Sequence, residues 1–108
     1  MVSASSDAEV RLPDDVDLHA RPAAHFVRMA MGFKSSIVVA AGEREADAKS
    51  LLAVLALGAR RGTSLRLAAE GGDAAAAIQA LAACVAGLEE NQPARDGAEQ
   101  PRDLDRVG

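Results

Sequence analysis

Aromatic residues are nearly absent from this chain: two phenylalanines, no tyrosine and no tryptophan among 108 residues. It lacks rings to stack on bases, and its formal net charge of −4 offers no basic face, so nucleic-acid binding is not expected. Cys84 is the single cysteine, which excludes a disulfide within the chain. With only two histidines beside it, the set is too small and too scattered for a zinc site, so no metal and no cofactor are expected. No apolar run reaches the roughly 20 residues of a membrane-spanning helix. Met1 to Asp7 lacks the basic-then-apolar pattern of a signal peptide. The expectation is a cytoplasmic single-domain protein with no insertion into a membrane.

What is present is an apolar half built from alanine and leucine, which favours close helix–sheet packing over a large ligand cavity. The ends read as loose. Residues 1–7 show no periodicity, and residues 91–108 are charged and contain two prolines, so a flexible N-terminus and a disordered C-terminal tail flank a domain at 8–90. Val10 and Leu12 alternate in a first strand. A helix follows His19, with Ala23, Val27, Ala30 and Met31 at helical spacing and Gly32 as its stop. Ile37-Val38-Val39 reads as a strand that turns at Ala41-Gly42 into a return strand through Ala46 and Ala48. Ser50 caps a short helix over Leu51 to Leu57, and Leu65 and Leu67 mark a fourth strand. Asp73 caps a last helix whose stripe is Ile78, Leu81, Val85 and Leu88. The order β-α-β-β-α-β-α predicts an α+β two-layer sandwich, one four-stranded sheet with the helices on one face.

The segment Leu18-His19-Ala20-Arg21-Pro22-Ala23-Ala24 concentrates the chemistry. Pro22 belongs in a helix's first turn, where a missing N–H costs little. The expected N-cap, Ala20 or a neighbour, has no side-chain oxygen, so the first N–H groups point outward beside an imidazole. Such a terminus binds anions, and its dipole opposes a positive charge on the ring. Arg21 adds a planar cation suited to phosphate. A phosphoryl group on His19 would find nucleophile, anion hole and counter-charge within three consecutive residues. A surface histidine near a helix start is the plain alternative, and His25 reads as an ordinary boundary residue.

This segment resembles the active-site signature of HPr, the histidine-containing phosphocarrier of the bacterial sugar phosphotransferase system. Lys49-Ser50-Leu51-Leu52, Leu57-Gly58, Gly62-Thr63 and Ala69-Glu70-Gly71 resemble further family blocks at matching separation, over about residues 8–90. The resemblance implies an antiparallel open-faced sandwich of four strands and three helices. It implies that His19 takes a phosphoryl group on Nδ1 from phosphorylated enzyme I and passes it to EIIA domains of sugar permeases, with Arg21 steadying the group. It places Ala20, Ala24, Leu51, Leu52 and Leu55 on a docking surface, with Arg28 either a rim contact or a solvated charge. Ser50 matches the serine that an HPr kinase/phosphorylase modifies in some bacteria; the cap alone also accounts for it. A regulatory module of the nitrogen branch or of a dihydroxyacetone kinase system, signalling through Ser50 or its docking face, stands as the alternative. A monomer is expected, acting as a carrier and not as a stand-alone turnover enzyme.

One departure stands out. Most family members have glycine where this chain has Asp17. A carboxylate there opposes a nearby phosphoryl group and stiffens the loop, or accepts a hydrogen bond from the imidazole.

Overall fold

The computed structural model describes residues 4–88. Seven elements follow in order: β1 (Ser5–Arg11), α1 (Ala20–Ala30), β2 (Ser36–Ala41), β3 (Arg44–Asp47), α2 (Leu51–Ala56), β4 (Ser64–Glu70) and α3 (Ala74–Ala86). The four strands form one antiparallel sheet in the order β1-β4-β2-β3. Its inner face carries Ile37 and Val39 from β2, Ala46 from β3 and Leu65, Leu67 and Ala69 from β4. These residues alternate with exposed neighbours, as a sheet covered on one side requires. The expected open-faced sandwich is the fold observed.

The first strand begins earlier than its composition indicates. Residues 5–7 were expected to be loose, but Ser5 pairs with Glu70, Ser6 with Ala69 and Asp7 with Ala68. These residues bury little; the backbone ladder offered by β4 orders them. The expected tail at 91–108 lies outside the described residues.

α1 turns Pro22, Ala23, Phe26, Val27 and Ala30 inward, and α3 turns Ala74, Ala77, Ile78, Leu81, Cys84 and Val85 inward. Each buried face mixes two alanines, Ala23 and Ala30 on α1 and Ala74 and Ala77 on α3, with larger apolar side chains. Phe26 is the largest fully buried side chain. Burial also pushes the Cys84 thiol up to about 11.

Asp73 holds the N-cap position of α3, as expected, but its side chain does not cap that helix. Its carboxylate reaches across to the start of β2, where it accepts from the Lys34 and Ser35 N–H groups at 2.8 and 2.9 Å and from the Ser35 hydroxyl. Tertiary donors outcompete the local cap. Gly71 makes this latch possible: it has a φ of +145°, and a Cβ there would lie 2.5 Å from Ser35 Oγ.

Two outcomes follow from this packing. Phe26→Ala is expected to cost about 3–5 kcal/mol in urea unfolding, the range for emptying a buried aromatic site. The Ser35 hydroxyl and the two N–H groups hold Asp73 at about 2, below its ordinary 3.8. Its contribution to stability is therefore complete above about pH 4 and is lost as pH falls toward 2. Acid titration of Asp73→Asn should show a shallower fall in stability across that window than the unaltered chain.

Candidate functional site

The segment between β1 and α1 is pinned at several points. Leu12 N–H donates to the Thr63 carbonyl at 2.9 Å, and Leu18 N–H to the Ala59 carbonyl at 3.0 Å. Val16 and Leu18 are buried in the core. Between them and the helix the chain has little freedom, and His19 is delivered to the surface at a fixed place.

His19 is itself the N-cap of α1, one residue ahead of the expected Ala20. Its backbone is extended (φ −84°, ψ −168°), and its carbonyl accepts the first helical bond, from Ala23 N–H at 2.8 Å. No side chain caps the turn and no acidic residue lies in it. Pro22 has no N–H to offer. Among the described residues, the Ala20 and Arg21 N–H groups make no hydrogen bond, so two donors and the positive end of the helix dipole face outward beside the ring. The His19 side chain is 67% exposed. Arg21 is also exposed, and among the described residues it forms no ion pair. His19 and Arg21 are thus both exposed at the start of α1, beside the two unbonded amides. His25 sits half-buried further along α1.

Asp17 is the residue whose surroundings the sequence leaves open. It is only 8% exposed. Its Oδ1 accepts from the Arg61 backbone N–H at 2.7 Å, and the Arg61 guanidinium lies 3.4 Å from each carboxylate oxygen. Its Oδ2 is 3.8 Å from His19 Nε2, an electrostatic contact too long for a hydrogen bond. The Arg61 N–H, foremost, and then the guanidinium hold the Asp17 carboxyl below the usual carboxylate range, against a smaller opposing effect of burial. Arg61 is the site residue that sequence reasoning misses. It lies 44 positions from Asp17, on the α2–β4 loop, which closes at Gly62 with φ +75°. The paired arginines before that glycine are the only local sign.

α2 stands beside this site. The Ser50 hydroxyl accepts from Ala53 N–H at 3.2 Å, so the expected cap is present. Leu52 is 81% exposed and Leu51 partly so. Leu55 is half-buried and lines an open cleft with Leu18, His19, Ala20 and Ala59. Ala20 is exposed and Ala24 half-buried on α1. The five residues expected for docking therefore do not all bury into the core. Arg28 is exposed in the last turn of α1.

Residues 6–87 match the family model described as PTS HPr component phosphorylation site. The phosphocarrier protein HPr of Haemophilus influenzae is 43% identical over 72 residues, covering 67% of this chain and 85% of that one. A multiphosphoryl transfer protein of Xanthomonas campestris is 43% identical over 77 residues, or 71% of this chain, which spans only 9% of that longer protein. The crystal structure of a phosphocarrier protein HPr from Bacillus anthracis superposes with a TM-score of 0.72 at 34% identity, covering 76% of this chain and 98% of that one. Fold and match together define a phosphocarrier component of the phosphotransferase system. The chain belongs to the HPr family.

Ser50→Ala is expected to lower stability by about 1 kcal/mol through loss of the α2 cap, read by urea denaturation with an unchanged slope.

Proposed function

We propose that His19 is the phosphorylated residue of this chain, taking its phosphoryl group from phosphorylated enzyme I and passing it to EIIA domains of sugar permeases. The observation that supports this most directly is the helix start: His19 holds the N-cap position of α1 with its imidazole exposed and not capping the turn, and the Ala20 and Arg21 N–H groups beside it have no partner among the described residues. A phosphoryl group on the ring would satisfy those donors and meet the positive end of the dipole. In this reading the group sits on Nδ1, the ring nitrogen that the family resemblance implies. Arg21, two residues on, would balance the added negative charge.

The docking surface in this reading is the apolar ground around His19: Ala20 and Ala24 on α1, and Leu51, Leu52 and Leu55 on α2. It is small and exposed, which suits partners that bind briefly, release and exchange, and a chain that works as a monomer. A kinase acting on Ser50 would place phosphate at the start of α2, beside this same surface, and would alter docking by charge. The carrier acts in the cytoplasm; among the described residues no helix is long and apolar enough to cross a membrane.

Incubation with phosphoenolpyruvate and enzyme I tests the reading. One phosphoryl group per chain is expected, labile in acid and stable in alkali, as on a histidine. The same label on His19→Ala would overturn the assignment. Arg21→Ala should slow transfer about tenfold or more while leaving the melting temperature unchanged. Leu52→Glu should weaken acceptance from enzyme I without altering the slow reaction with a small phosphoryl donor.

A further inference from the structure

Resting on that reading of His19, we infer that Asp17 is a positioning residue for phosphoryl transfer, holding a proton on Nε2 while the phosphoryl group occupies Nδ1. Three observations carry this. Asp17 Oδ2 lies 3.8 Å from His19 Nε2, so the carboxylate borders that nitrogen in particular. The carboxylate cannot swing away: the Arg61 N–H holds Oδ1 at 2.7 Å, and the segment is fixed again by Leu18 N–H on the Ala59 carbonyl at 3.0 Å. Its charge is also assured, since the Arg61 N–H and guanidinium both favour the ionised form.

A fixed negative charge beside Nε2 sorts the two ring nitrogens by electrostatics alone. It disfavours a phosphoryl group on Nε2 and favours a proton there. The neutral ring then keeps its reactive lone pair on Nδ1. In the acceptance step that lone pair attacks phosphorus, and the phosphorus–nitrogen bond of a phosphoramidate-type donor breaks, its electron pair leaving with the donor nitrogen. The His19 ring becomes a phosphorylated imidazolium with its proton still on Nε2. In the donation step the Nδ1–phosphorus bond breaks, its electrons return to the ring, and the neutral Nε2–H ring is restored. No proton leaves His19 in either direction. The ring is positively charged in between, and Asp17 stabilises it there, as the buried aspartate of a serine-protease triad stabilises its imidazolium from the non-reacting nitrogen. Arg61 both anchors the carboxylate and offsets part of its charge.

The test uses the full 108-residue chain and phosphoramidate as a small phosphoryl donor, with phosphorylation followed by phosphorus NMR and the Nε2 proton by nitrogen–proton correlation. Asp17→Asn keeps an acceptor for the Arg61 N–H and removes the charge. It should phosphorylate about fivefold more slowly, the effect of one unit charge near 4 Å in a well-solvated setting, and the phosphorylated ring should lose its exchange-protected Nε2 proton. Arg61→Gln unmasks the carboxylate and should protect that proton further. The opposite signs separate an electrostatic role from a merely structural one. An Asp17→Asn chain that matches the unaltered protein in rate and spectrum overturns the inference while leaving His19 as the carrier. If Asp17→Asn does not fold, Arg61→Gln decides: an Nε2 signal unmoved or less protected overturns the inference. A chain that takes no phosphoryl group, or a His19→Ala variant that takes it equally, removes the carrier reading and this inference with it.

Discussion

The pairing of β1 with β4 is the interaction on which the rest of the structure depends. It joins Ser5–Arg11 to Ser64–Glu70, so the chain must close most of the described length before the ladder forms. Once it has formed, β1 ends beside the α2–β4 loop, and the segment leaving β1 lies against that loop. The Leu12–Thr63 and Leu18–Ala59 bonds continue the same seam past the strand. The start of α1, with His19 on it, is thereby set at the end of a rigid ladder and beside α2, although neither helix belongs to the sheet. The precision of the surface site is inherited from a long-range backbone pairing.

What the sequence shows of this arrangement follows the range of the forces involved. Ser50 is legible because its partner is the N–H of Ala53, three residues away, and a serine before an apolar run has few other uses. The stripe Ile78, Leu81, Val85, Leu88 is legible because helical period and burial agree, and all four are buried. His19 stands out for a similar reason: an imidazole followed closely by arginine and proline is a local pattern. Asp73 marks the limit. Its position before α3 is right, but its carboxylate serves the start of β2, since three donors there outbid a single cap. The opening of β1 escapes notice because Ser5 to Asp7 are ordered by a partner strand and not by their own side chains. Arg61 escapes for the same reason, since nothing near residue 61 in the chain reveals that a loop will lay it against residue 17.

Asp17 changes how the site is understood. Read from the chain alone, a carboxylate two residues before the histidine either opposes a nearby phosphoryl group and stiffens the loop or accepts a hydrogen bond from the imidazole. In the fold it is nearly buried, tied to the Arg61 main chain and paired with its guanidinium, so much of its field is spent locally. It meets His19 with Oδ2 3.8 Å from Nε2. The same charge that would be harmful if free to rotate is compatible with anion chemistry once its position is fixed.

The burial of Cys84 bears on which atoms of this molecule can react at all. Thiolate is the nucleophilic form of cysteine, and a thiol pushed up to about 11 is almost wholly protonated near neutrality and lies under the side chains of α3 and the sheet. The chain has no second cysteine. An electrophilic phosphorus brought to this surface meets an imidazole and no competing thiolate, and oxidants find no thiolate to modify. The one thiol is kept out of reach by the same buried packing that orders α3, so the core shapes the reactivity of the surface.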